Sequence, residues 1–186
     1  MTIAYNKVTR EWKSTSTPEE LDSNWIIDPV FEDKEFANEI GQEYWSFDGN
    51  IIKTPTREEY AAIQKENNQK EMWRQIQAFR DERVSTGGVF VAGKWFHSDS
   101  TSRIQQLGLV MMGQNMPSNL MWKTMDGTFV QMTPELAQQI FQASAASDMT
   151  NFAIAEQHRQ QMLLSDDPLN YDFRNTAPQW PPIFGE

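Results

Sequence analysis

The chain contains no cysteine, which removes disulfides, thiolate metal sites and cysteine nucleophiles together. It has 2 histidines in 186 residues, His97 and His158. Two isolated imidazoles fall short of the three or four ligands of a zinc site, so neither a metal nor a cofactor is expected. Apolar residues are scarce at 39%, and no window approaches the roughly 18 consecutive apolar residues of a membrane span. Positive charge is also in deficit. With 16 basic against 26 acidic side chains, the net charge is −10, which repels a phosphate backbone and argues against a nucleic-acid partner. Met1 to Arg10 holds no apolar core of signal-peptide length, so synthesis and folding in a reducing cytoplasm are expected.

Large rings are what the chain has instead: 7 Trp and 11 Phe. They allow a modest number of apolar residues to bury a real core. Residues 87–145 repeat one cadence. Gly93 closes a turn, Trp95 and Asp99 follow, and a helical pattern begins with Ile104, Leu107, Gly108 and Met111 on one face. Gly127 then closes a turn, Phe129 and Thr133 follow, and a second helical pattern begins at Leu136, Ile140 and Phe141. Each unit reads as a hairpin feeding a capped helix, with Asp99 and Thr133 as caps and Pro134 at the first helical position. Asp126-Gly127 is the strongest hairpin signal in the chain. The last helix extends to about Leu164, and Ser147-Asp148 is where a break in it would fall.

The fold class expected is α+β, with four segments. Residues 1–53 form a β-rich docking module, too small for a deep pocket of its own. Its strands lie near Ile3–Tyr5, before Asp28-Pro29, and on both sides of Asp48-Gly49. Residues 54–84 form a connecting helix, started by the capping-box pair Thr56 and Glu59. Its second half carries a buried stripe of Trp73, Ile76, Ala78 and Phe79. Its first half, around Lys65–Lys70, is polar all round, as in a solvated connector or a helix whose narrow seam meets another chain. Residues 85–164 form the hairpin–helix–hairpin–helix domain, and residues 165–186 an extended tail of aromatics and prolines. That tail is expected to lie on a surface, either the protein's own or a neighbour's.

No residue set with a catalytic mechanism emerges. His97, Ser98 and Asp99 contain the residue types of a hydrolase triad, but neighbours on a strand point to opposite faces. Ser85-Thr86-Gly87-Gly88 lacks the Gly-Lys-Ser/Thr of a phosphate loop and reads as a helix stop. Asp28, Glu32, Asp33 and Asp48 lack calcium-loop spacing, and Asp166-Asp167 suits a helix exit. The cluster Met111, Met112, Met116, Met121, Met125 and Met132 reads as filling for an irregular core.

Residues 72–164 resemble an uncharacterised C-terminal domain family of tailed-bacteriophage tail proteins. The resemblance rests on an ordered string: Arg80-x-x-Arg83, Gly88-Val89, Gly93-Lys94, Ser98-Asp99-x-x-Ser102, Trp122-Lys123, Asp126-Gly127 and Thr133-x-x-x-Ala137. Trp180-Pro181 matches how such proteins close. The front of the chain is similar, more loosely, to tail-fibre assembly proteins through Tyr5-Asn6, Trp25-Ile26-Ile27-Asp28-Pro29 and Trp45-Ser46-Phe47-Asp48-Gly49-Asn50.

The resemblance implies a protein made in the host cytoplasm and working at the virion tail. It would be non-enzymatic, docking on a tail fibre or baseplate as a structural adaptor or an assembly chaperone. It brings no catalytic residues. The expected partners are other phage tail proteins, and self-association is left open. The expected contact residues are Trp25 and Trp45 in the front module and Tyr171, Phe173, Trp180, Ile183 and Phe184 in the tail. The alternatives are a receptor-binding module that reads a host glycan or protein, and a surface-polymer hydrolase.

Overall fold

The computed structural model describes residues 1–186. They divide into two units, Met1–Gln64 and Lys65–Glu186, and the class is α+β. The division differs from the four segments expected. The long helix has no independent standing, because it supplies packing residues to both units.

In the first unit, β1 (Thr2–Asn6) is the middle strand of an antiparallel sheet, between β2 (Trp12–Thr15) and β3 (Trp25–Ile27). The register sets Tyr5 opposite Trp12 on one side and Ile26 on the other. A second small sheet pairs β4 (Val30–Phe31) in parallel with β6 (Ile51–Lys53), which forms a hairpin with β5 (Ser46–Asp48) across Asp48-Gly49. Between β4 and β5 lies a short helix, α1 (Lys34–Glu39), whose first free N–H groups are capped where Phe36 N donates to Asp33. Tyr5, Ile26, Phe36, Ile40, Trp45 and Ile52 form the core. Tyr60, in the first turns of α2 (Arg57–Thr86), meets Phe36 and Tyr44 edge-on at centroid distances of 5.6 and 5.0 Å.

The second unit holds the rest of α2, followed by the two hairpin–helix repeats. Hairpin β7 (Val89–Val91) and β8 (Lys94–Phe96) leads into α3 (Ser100–Met112). Hairpin β9 (Met121–Lys123) and β10 (Phe129–Gln131) leads into α4 (Pro134–Leu164). The capping arithmetic holds in atomic detail. Asp99 Oδ1 accepts from the N–H groups of Thr101 and Ser102 at 3.0 Å each. Thr133 Oγ1 accepts from Leu136 N at 3.1 Å, and Thr56 and Glu59 cap each other reciprocally.

Two expectations for the helices fail. The inward face of α2 is Met72, Ile76 and Arg83, flanked by Trp73 and Phe79, while Ala78 points to solvent. Helix α4 also runs through Ser147-Asp148 without a break. Its buried residues Ala137, Ile140, Ser144, Asn151, Ala155, His158 and Met162 recur every three or four positions once half-buried Asp148 is included, so they form one stripe. The stripe is apolar at both ends and polar in the middle. One end joins a cluster with Val89, Phe96 and Leu109. The other joins Met72, Ile76 and Phe173.

Arg103 pairs with Asp148 in the polar middle, whereas the buried Ser144 Oγ and Asn151 Oδ1 have no hydrogen-bond partner. The Arg103 Nη1 and Nη2 donate to the two Asp148 oxygens at 2.5 and 2.8 Å, its Nε to Ser98 O at 2.5 Å, and its Nη2 to Val84 O at 3.1 Å. One guanidinium thereby ties the end of α2, the start of α3 and the middle of α4. A lysine ammonium is a point charge and cannot reproduce that fork. Arg103→Lys is expected to lower unfolding stability by roughly 2 kcal/mol, the scale of lost hydrogen bonds to charged groups. Urea titration checks this. The cost of Asp148→Asn should largely disappear in the Arg103→Lys background, because both changes break one interaction.

Candidate functional site

The five tail residues expected at a partner surface lie against the protein's own second unit. Phe173 is buried at 4% exposure beside Phe79, with ring centroids 5.4 Å apart. Trp180 meets Phe79 at 5.2 Å and stacks on the His158 imidazole at 5.3 Å and 21°, and its Nε1 donates to Phe173 O at 2.9 Å. Phe173 is therefore core, not partner contact. The same correction applies to Trp45, which is 8% exposed and packed against Tyr5 and Phe31. In both cases long helices or paired sheets close over a ring whose local segment is too short to hide it. Trp25 is half-buried, with Lys13 Nζ 5.8 Å above its ring. Tyr171 and Ile183 are half-buried, and Phe184 is exposed.

His158 anchors this docking. It is completely buried. Its Nε2 donates to Pro178 O at 2.9 Å, and its Nδ1 lies 2.9 Å from the Tyr171 hydroxyl, which also reaches Gln161 Oε1 at 2.6 Å. Burial pushes the imidazole below its ordinary pKa, against a smaller opposing effect of the Pro178 carbonyl. Farther along, Arg83 is buried at 7% exposure and holds the Glu186 carboxylate through two hydrogen bonds of 2.8 and 2.9 Å. It also donates to Pro181 O. That guanidinium holds the Glu186 carboxyl below its usual range.

Gly87 and Gly88 stop α2 and make room for the returning tail. Phe184 N donates to Gly87 O at 2.9 Å, and a Cβ on Gly87 would strike Arg83 O and Ile183. Gly88 has φ +74°, and a Cβ there would strike the Met125 sulfur. Both glycines are buried, which suits a helix stop and leaves no cradle for a phosphate.

The triad residue types diverge. Asp99 caps α3, Ser98 Oγ accepts from Gly88 N at 3.0 Å, and the His97 ring is exposed. Asp33 caps α1 and Asp48 pairs with Lys53 at 2.8 Å. No group of three or more His, Asp or Glu side chains is placed to hold a metal ion.

Two features escape a reading by periodicity. The first is an open aromatic cluster on the second unit. Phe90 is 58% exposed and its ring lies 5.4 Å from Trp95, which lies 6.3 Å from Phe184. The second is a cleft of about 680 Å³ within the first unit, lined by Trp12, Phe31, Trp45, Asp28, Asn38 and Gln42 among others. The cleft is open to solvent, a groove on the module rather than the deep pocket judged out of reach for a segment this small. Helix α1, which no sequence signal marked strongly, supplies one wall through Lys34, Ala37 and Asn38. The methionine cluster also divides: Met116 and Met132 are buried, whereas Met111, Met112 and Met121 are exposed. The aromatic cluster could have been suspected from the adjacent rings Phe90, Trp95 and Phe96 on so short a hairpin, which cannot all point inward.

Residues 67–175 match a family described as a domain of unknown function, DUF4376, and the chain belongs to that family. No curated protein and no solved structure matches the chain.

The neutral, buried His158 makes tail docking pH-dependent. Its folded-state pKa is depressed, so the unfolded chain takes up the proton first. Its contribution is complete above the ordinary imidazole value of about 6.5 and is lost as pH falls below it. The depressed carboxylates act lower, around and below pH ~4. Between about pH 7.5 and 5.5 the melting temperature should therefore fall, and Trp180 fluorescence should report release of the tail. In His158→Gln the slope over that window should flatten.

Proposed function

We propose that this DUF4376 protein is a non-enzymatic part of bacteriophage tail assembly that docks on a tail-fibre or baseplate polypeptide. The observation that carries the reading is a cluster in which exposed Phe90 and Phe184 flank half-buried Trp95. Interface cores are enriched in aromatic residues, and rings left open on a chain this poor in apolar residues suit anchors in a partner's grooves. The ordered string from Arg80 to Ala137 and the closing Trp180-Pro181 support placing that partner in a phage tail. The acidic surface limits nonspecific association. The protein acts either as a permanent adaptor in the virion tail or as a chaperone that leaves before the particle is complete.

A second reading rests on the cleft of the first unit. Trp12 is 44% exposed there, beside the carboxylate of Asp28 and the amides of Asn38 and Gln42. A flat ring next to hydrogen-bonding groups suits a host-surface sugar, which a glycan array tests. Asp28 is the one carboxylate in that lining, whereas glycoside hydrolysis by the usual route uses two.

Mass spectrometry of purified particles distinguishes the roles within the leading reading. An adaptor is present at fixed stoichiometry. A chaperone is absent from particles and copurifies with an unassembled tail component from infected cells. Trp95→Ser combined with Phe184→Ser should reduce capture of that component at least about tenfold, the scale of one hot-spot contact, with the helical circular dichroism retained. Absence from both particles and tail-component complexes would remove the phage-tail reading.

A further inference from the structure

The first unit carries most of the molecule's negative charge. Residues 1–64 hold 13 acidic and 6 basic side chains, a net −7 of the chain's −10. The aromatic cleft of this unit, at about 680 Å³, falls within the roughly 300–1,000 Å³ of small-ligand sites. Three rings line it. Phe31 meets Trp45 at 84° with centroids 5.3 Å apart, and Trp12 lies 6.1 Å from Phe31. Trp45 is buried and Trp12 is exposed, so Trp12 is the open wall of this corner of π faces.

Elsewhere in the same unit the chain places its own cations over rings. Arg10 lies over Phe47 at 5.6 Å, Lys13 over Trp25 at 5.8 Å and Arg57 over Phe36 at 4.4 Å. None lies over Trp12, Phe31 or Trp45. Other rings share that lack, but these three have the Asp28 carboxylate in the same lining. Asp28 Oδ1 accepts from Ile3 N at 3.1 Å. The ion pairs of this unit are Lys53–Asp48 and Arg57–Glu39, so Asp28 has no cation partner. The amides of Asn38 and Gln42 complete the polar lining. The Tyr5 hydroxyl donates to Gln42 Oε1 at 3.1 Å, which leaves the Gln42 amino group to donate to a carbonyl.

We infer that this cleft takes an arginine side chain from an extended segment of a partner polypeptide. The guanidinium lies on the Trp12 face and donates to Asp28, the pairing that a planar, weakly hydrated cation makes best. Its carbon stem covers Phe31, and the peptide groups beside it meet the amides of Asn38 and Gln42. A free quaternary ammonium would satisfy the rings and leave those amides unused. A neutral sugar would gain nothing from the charge of the unit, which draws a cation toward the cleft. Lys34 is the single cation in the lining and opposes this occupant. The inference gives the polypeptide partner of the leading reading a chemistry at a second contact. It concerns the isolated chain, so its test does not depend on where that partner resides.

NMR titration of the full chain, read at the Trp12 indole N–H, tests the inference. The probe is N-acetyl-arginine methylamide, which carries the guanidinium between two peptide groups, and N-acetyl-citrulline methylamide is its uncharged isostere. The arginine compound should shift the signal saturably, with a dissociation constant on the order of 1 mM. The citrulline compound should bind at least about fivefold more weakly. Asp28→Asn should cost a similar factor, since it keeps the acceptor for Ile3 N and suits the left-handed backbone at φ +43°. Lys34→Gln should tighten binding about twofold, because a like charge leaves the cleft. No saturable shift up to about 20 mM, equal binding of the two compounds, or weaker binding by Lys34→Gln overturns the inference. Tetramethylammonium binding as tightly as the arginine compound overturns the polypeptide occupant. A shift by methyl α-glucoside in place of the arginine compound gives the cleft to the sugar of the second reading and likewise overturns it.

Discussion

The guanidinium of Arg103 is the constraint around which the second unit is organised. Helix α4 buries a stripe that is apolar at its ends and polar at its centre, where Ser144, Asp148 and Asn151 lie. A polar centre inside a packed helix is costly unless its groups find partners. Arg103 supplies the main one and at the same time accommodates the carbonyls of Val84 and Ser98. The position of α3 on α4, and the direction in which the chain leaves α2, both follow from where these acceptors converge. The two apolar clusters then form on either side of this tie.

What was legible in the sequence was local. Thr56 with Glu59, Asp99, and Thr133 with Pro134 mark helix starts through bonds that reach three residues or fewer. The Asp48-Gly49 and Asp126-Gly127 turns likewise depend on two residues each. Features set by distant partners were not legible. Helix α1 is six residues long and carries too short a pattern to register. Asp148 looked like a helix breaker because its partner is 45 positions away. The parallel pairing of β4 with β6 has no signal in either strand. Periodicity showed that Ile104, Leu107 and Met111 share a face, but sharing a face does not say whether it looks inward. For the candidate site, the reading identified tail aromatics as ordered but did not resolve whose surface orders them. His158, the residue that settles this, is a single imidazole in a polar stretch and gives no pattern of its own.

The abundance of rings is explained mainly by the chain's own packing. Many rings also carry a cation on the outer side. Arg57 covers Phe36 at 4.4 Å, Arg80 covers Phe152 at 4.1 Å and Arg159 covers Trp73 at 4.9 Å. Arginine suits this role because its planar, weakly hydrated head can lie on a π face while remaining wet at its edge. In a chain with few aliphatics, such lids shield rings that no second layer of apolar residues is available to cover. No such cation lies over Phe90, Trp95 or Phe184, and exposed Phe129 and Phe141 share that lack.

The clasp between Arg83 and Glu186 spans 103 positions of the chain, and this bears on the order of events during biosynthesis. Contacts of such separation form late, because a long stretch of chain must be ordered before they are rewarded. Until residues 165–186 have been added, at about 5–20 residues per second, Phe79 and the imidazole of α4 lack the cover of Phe173 and Trp180. The nascent second unit therefore passes through an interval in which it presents a wet, half-finished surface. Whatever meets it then competes with residues 165–186 of the same chain.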